Sequence, residues 1–228
     1  MNQIAKSPRA RKKIVETYLR AKQAVIAQGF EAEIDWQDSL QFSQITESDI
    51  LREAAWVVLS AGMREAVIRL KFPQISEAFY FWQSAKQIAR RSDKCRAQAL
   101  AIFRHPEKVN AIITIAEEIN SLGFVAFKMR ILSGGVNFIQ TLPFMGPATS
   151  YHLAKNIGLE MVKPDRHLIR VAAATGYESP RRLCEDISEL VGDRISVIDL
   201  VIWRFATLYP NYAEFFAQKT PVGTRREQ

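Results

Sequence analysis

Cysteine is nearly absent: the 228-residue chain carries two, Cys95 and Cys184, far apart and each inside a helical pattern. A disulfide framework is thereby excluded, and both read as ordinary thiols of an intracellular protein. Histidine is as scarce. His105, His152 and His167 lack a compact metal-ligand spacing, so neither zinc nor iron is expected. No secretory leader and no run of about eighteen uninterrupted apolar residues is found, which excludes a membrane-spanning helix and makes the cytoplasm the expected location. Convincing strands, internal repeats and low-complexity tracts are missing as well. What is present suffices for a core: 48% of residues are apolar and 24% charged, enough for one or two small domains. The formal charge of +7 and pI near 9.5 favour a polyanionic partner, though many basic proteins touch no nucleic acid.

Along the chain the helical spacing recurs. Ile14, Tyr18, Ala21 and Val25 predict an amphipathic helix over 8–28, with Arg9, Arg11, Lys12, Lys13, Arg20 and Lys22 on its basic side. Those charges read either as a solvated face or as a contribution to DNA attraction. From Glu31 to Gln44 there is little periodicity, with Trp36 and Phe42 as expected anchors. Thr46 to Asp49 forms a capping box with aspartate in place of glutamate, and it introduces a buried helix ending near Gly62. Further helices are expected up to Phe72-Pro73, then over 76–91, 93–104, 106–122 and 124–132, the last ending at Ser133-Gly134-Gly135. Ser179-Pro180 starts another that Gly192 closes, and a buried helix from Ile195 is limited by Pro210. The polar tail after Thr220 is expected to fray. The sum is an all-α protein of about ten helices.

The stretch from Thr141 to Leu168 organises the rest. It holds a tight turn, Leu142-Pro143-Phe144-Met145-Gly146, and then Pro147, well placed at a first helical position because its fixed φ fits and its missing N–H needs no partner. The helical spacing that follows stops at Gly158. Lys163-Pro164 breaks the chain again, and Asp165 stands where a new helix begins, where its carboxylate can cap the N-terminus.

In this turn, its helix and Lys163-Pro164-Asp165, the chain resembles the helix-hairpin-helix DNA glycosylases, the superfamily of endonuclease III and of the oxoguanine and alkylpurine glycosylases. The resemblance implies two helical lobes with the DNA-facing cleft between them. A central lobe over 46–164 would carry the helix-hairpin-helix at about 135–158, and the other lobe would combine 1–45 with 165–228. It also implies a monomeric, nucleoid-associated base-excision repair enzyme acting on double-stranded DNA that contains a damaged, flipped-out base, with no membrane partner.

Residue by residue, the resemblance makes Asp165 the catalytic carboxylate. A fixed carboxylate near C1′ stabilises the positive charge that the sugar develops as the glycosidic bond breaks, and it can orient the attacking water. Gly146 and the N–H of Ala148 would approach a DNA phosphate at a helix N-terminus. Backbone carbonyls of Gln140, Leu142 and Met145 would hold a potassium or sodium ion bridging to the same phosphate. Met63 and Arg64 fall where relatives place a loop that enters DNA, His167 would either line the site or contact DNA or be an ordinary solvated or helix-capping histidine, and Tyr80-Phe81-Trp82 would contribute either to a base pocket or to the core.

Three departures narrow this. The family has glycine where Phe144 stands, so a positive φ there would strain the phenylalanine. The lysine that gives some members strand-cutting activity is replaced by Ala148, which implies a monofunctional, water-using enzyme unless Lys155 or Lys163 substitutes. Two cysteines also rule out the family's four-cysteine iron–sulfur cluster. Two other function classes stay open: a non-catalytic helix-hairpin-helix DNA-binding module, and an all-α interaction protein with a coincidental turn. The damaged base is not identified by the sequence; alkylated purines ask least of an enzyme without the lysine.

Overall fold

The computed structural model describes residues 7–218, and within them the chain is all-helical, with no strand. In order the helices are α1 (Pro8–Ala27), α2 (Glu31–Ser39), α3 (Glu47–Ser60), α4 (Glu65–Ala78), α5 (Ala85–Arg90), α6 (Ser92–Ile102), α7 (Pro106–Leu122), α8 (Phe124–Ile139), α9 (Pro147–Asn156), α10 (Arg166–Ala174), α11 (Pro180–Val191), α12 (Ile195–Leu208) and α13 (Tyr212–Phe216). Short 3₁₀ turns occupy Phe42–Gln44 and Tyr80–Trp82. The tail beyond Thr220 lies outside the described residues. No single helix among those described is long and apolar enough to cross a membrane.

Two compact units divide the chain: one comprises the residues up to Leu40 and from Glu160 onward, the other Gln41–Leu159. These breaks fall five residues before the expected boundaries at 45/46 and 164/165. At the first break, Phe42 is buried and its backbone meets Gly158 of the central unit. At the second, Val162 is buried in the core of the terminal unit.

In the terminal unit α1 lies against α11 and α12, burying Tyr18, Ala21 and Val25 among Leu183, Ile187, Val201 and Phe205. The basic side of α1 is partly consumed locally. Lys22 pairs with Asp193 at 2.7 Å, and Arg11 pairs with Glu189 and with the buried Asp186. The α2 segment, read as aperiodic, is a helix of nine residues. It buries only Ile34 and Gln37, too few positions to register as a period, and Trp36 is 37% exposed. The C-terminal carbonyls of α2 are satisfied from a distance: the Arg194 guanidinium donates to Asp38 and Leu40 at 2.7 and 2.6 Å.

In the central unit the capping box at Thr46 forms as read, with Thr46 and Asp49 bonding reciprocally. Pro73 does not end α4. It is exposed, and the helix runs on because Ile75 and Ala78 beyond it are buried, which outweighs the one backbone bond proline cannot make. Likewise α8 does not stop at Ser133-Gly134-Gly135. Gly135, at φ 53° and ψ −137°, kinks it and it continues to Ile139. Gly158 ends the hairpin's second helix at φ 88°, and a Cβ there would lie 2.7 Å from the Phe42 nitrogen, so only glycine fits.

Candidate nucleic-acid interface

The hairpin lies wholly in the central unit. After α8, the Leu142 carbonyl accepts from the Met145 N–H at 3.1 Å, closing a turn with Pro143 second and Phe144 third. Phe144 has φ 62°. Proline followed by a positive φ defines a type II turn, whose third position ordinarily takes glycine. The turn therefore holds Phe144 in the left-handed backbone that glycine ordinarily takes. Leu142 and Met145 bury their side chains beneath the turn, and Phe144 remains 38% exposed. Its ring meets His105 edge-on at 6.3 Å, and the Thr149 hydroxyl donates to its carbonyl at 2.8 Å.

Gly146 caps α9 in an extended conformation, with Pro147 as first helical residue. Gly146, Pro147 and Ala148 are exposed, and the N–H groups of Gly146 and Ala148 donate no hydrogen bond within the described residues. Accessible, unsatisfied amides at a helix N-terminus are what an anionic oxygen seeks. Of the three carbonyls proposed for a monovalent cation, those of Gln140 and Met145 accept no hydrogen bond from the described residues, and that of Leu142 has a lone pair left beside its turn bond. Three such oxygens fit a potassium or sodium ion by chemistry.

A second turn of the same type precedes α4. The Ser60 carbonyl accepts from the Met63 N–H at 3.0 Å, and Gly62, at φ 69°, fills the third position. Met63 is 40% exposed, and Arg64 is exposed with no partner among the described residues. Between the turns stands Lys108, only 3% exposed, whose ammonium donates to the carbonyls of Leu59 and Ala61 at 2.7 and 2.5 Å. Nothing in the sequence signals this role, because it depends on contacts 49 and 47 residues away.

The aromatic triplet divides. Trp82 belongs to the core: its ring stacks on Phe79 at 4.9 Å and its Nε1 donates to Ser76. Phe81 is 59% exposed, and the Arg91 guanidinium lies over the Tyr80 ring. All three residues have positive φ, a left-handed turn that costs about 1–2 kcal/mol per residue in L-amino acids.

Asp165 and His167 lie together in the terminal unit. Asp165 caps α10: its Oδ1 accepts from the N–H groups of His167 and Leu168 at 2.8 and 3.0 Å. Its Oδ2 makes no hydrogen bond among the described residues, and the residue is half-buried. The capping reading and the availability of a carboxylate oxygen therefore hold at once. The segment before it is pinned by Asp199, a buried residue of α12 that accepts from the Lys163 N–H at 2.5 Å. Burial holds the His167 imidazole below its usual range, and the Asp165 charge opposes this. Its ring meets Tyr212 at 5.2 Å. Of the two alternative lysines, Lys155 is buried in the last turn of α9 and Lys163 is half-buried.

Buried polar pairs also hold the hairpin's second helix. The Asn156 amide donates to Glu53 of α3 at 3.0 Å, and Arg52 pairs with the other Glu53 oxygen. Burial raises the Glu53 carboxyl above its usual range, against the opposing pull of Arg52 and Asn156. Among the described residues no group of three or more histidine, cysteine, aspartate or glutamate side chains is placed to hold a metal. Comparison with models of protein families, with curated proteins and with solved structures found no match.

Proposed function

We propose that the protein is a monofunctional DNA base-excision repair glycosylase of the helix-hairpin-helix kind, with its two helical units as the two lobes of that fold. The observation that carries this reading is Asp165, half-buried at the start of α10, with one oxygen committed to the cap and the other free. A binding module needs a hairpin but no such carboxylate. Oδ2 is the atom that would face the developing positive charge at C1′ and steer a water to it, while the two amide bonds to Oδ1 hold the group in place. The hairpin amides of Gly146 and Ala148 would take a phosphate. A monovalent cation held by the carbonyls of Gln140, Leu142 and Met145 would add positive charge beside it. Met63 and Arg64 would enter the duplex where the target base has left. With Ala148 in the nucleophile position, Lys155 buried and Lys163 half-buried in a segment held by Asp199, water is taken as the attacking group.

The test is incubation with a panel of duplexes, each carrying one alkylated, oxidised or deaminated base. Release of a free base is expected from at least one, alkylated purines first, with strand breaks only after alkali or heat and no adduct trapped by borohydride. Duplex affinity should fall about tenfold or more between about 50 and 200 mM salt, because phosphate contacts release counterions. Salt-insensitive affinity, or none, would overturn the DNA reading; efficient trapping would overturn the monofunctional one.

A further inference from the structure

A lysine with its ammonium out of water calls for an explanation, because a buried charge is costly unless paired. Lys108 lies in the first turn of α7, after Pro106, and is 3% exposed. Among the described residues no carboxylate pairs with it. Its partners are the Leu59 and Ala61 carbonyls, at the C-terminal end of α3 and in the turn that follows. The negative end of a helix dipole is a favourable place for a cation, and the Leu59 oxygen has no helical N–H to accept from. The same ammonium lies 6.0 Å from the centre of the Phe144 ring, over its face, in the hairpin turn. The Phe144 ring also meets His105, which precedes α7. One short segment, 105–108, thus touches both type II turns: one carries Met63 and Arg64, the other leads into the exposed amides at Gly146 and Ala148.

We propose that Lys108 is a positioning residue that fixes the Met63–Arg64 turn relative to the hairpin, so that a duplex seated on the hairpin amides meets the intruding side chains at a set distance. The role rests on the DNA reading above. Lys108 itself touches no DNA: it is buried and its donors face carbonyls. It is also not placed as an attacking amine, since its nitrogen is buried against the Leu59 and Ala61 carbonyls.

Lys108→Met keeps the stem and removes the ammonium. In the free protein, hydrogen exchange at the Met63 amide, bonded to Ser60, should accelerate about tenfold or more while amides in the middle of α3 stay protected. On a duplex holding a tetrahydrofuran abasic analogue flanked by 2-aminopurine, overall affinity and its salt slope should stay within about twofold of wild type. The 2-aminopurine brightening that reports unstacking should drop about tenfold or more, since misplacing an inserted group by an ångström is that costly. If Lys108→Met does not fold, Lys108→Gln, which keeps a neutral donor, carries the same measurements. Unchanged exchange with unchanged brightening overturns the proposal. So does a salt slope reduced by about one, which would make Lys108 a phosphate contact. If the turn loosens but wild-type protein shows no salt-sensitive duplex binding, the mechanical coupling stands and the DNA reading falls.

Discussion

Gly62 and Phe144 occupy the same position in two type II turns of the central unit, at φ 69° and 62°. Glycine adopts that backbone freely, whereas phenylalanine is strained there by about 1–2 kcal/mol. The Phe144 ring in turn meets His105 and the Lys108 ammonium, contacts that glycine could not make.

Phe144→Ala keeps the strain and loses the contacts, whereas Phe144→Gly loses both. The glycine variant should therefore melt higher than the alanine variant, by about 1 kcal/mol in free energy, with wild type above or level with both. Thermal melting of the three proteins checks this. An alanine variant at least as stable as the glycine variant would show that the turn abandons its left-handed residue.

Glu53→Gln keeps an acceptor for the Asn156 amide and removes a buried charge. A carboxyl whose folded pKa is raised contributes stability that is full below its unfolded pKa and is lost as pH rises through the folded value. Glutamine does not titrate, so the variant should gain on wild type as the pH rises above the usual carboxylate range. Melting temperatures across that rise decide it; a constant difference between the two proteins would mean that Glu53 ionises as it would in water.

Asp199→Ala would leave the Lys163 N–H without its partner. A loss of about 1–3 kcal/mol is expected, and base release should fall more than the melting shift alone explains, because the segment leading to Asp165 is freed. Denaturant unfolding beside single-turnover kinetics separates the two. Full activity in a destabilised but folded variant would make Asp199 a purely structural residue.

What the sequence made legible is local. The caps at Thr46, Ser179 and Asp165, the stops at Gly158 and Gly192, and the positive φ demanded of Phe144 all depend on residues within a few positions of one another. Pro73 misled because burial of Ile75 and Ala78, a tertiary fact, keeps α4 intact. Tertiary supports within each unit were invisible for the same reason: Lys108 reaches back to Leu59, Glu53 meets Asn156 103 residues on, and Asp199 holds Lys163. No spacing rule links such pairs. The acidic residues among them read as ordinary members of helices, and it is the fold that buries them.

Asp165→Asn tests the central proposal most directly. Asparagine is the same size and its Oδ1 can still accept from His167 and Leu168, so the fold should survive with a loss of about 1 kcal/mol or less. The charge that would stabilise the sugar cation is gone, so base release from a lesion that the wild type processes should slow about 10²- to 10³-fold. Duplex binding should persist or tighten, since a negative charge is removed near phosphate. Base release, binding and melting are measured on the same preparation. A folded Asp165→Asn protein that releases base at the wild-type rate would show that Asp165 is a helix cap and nothing more.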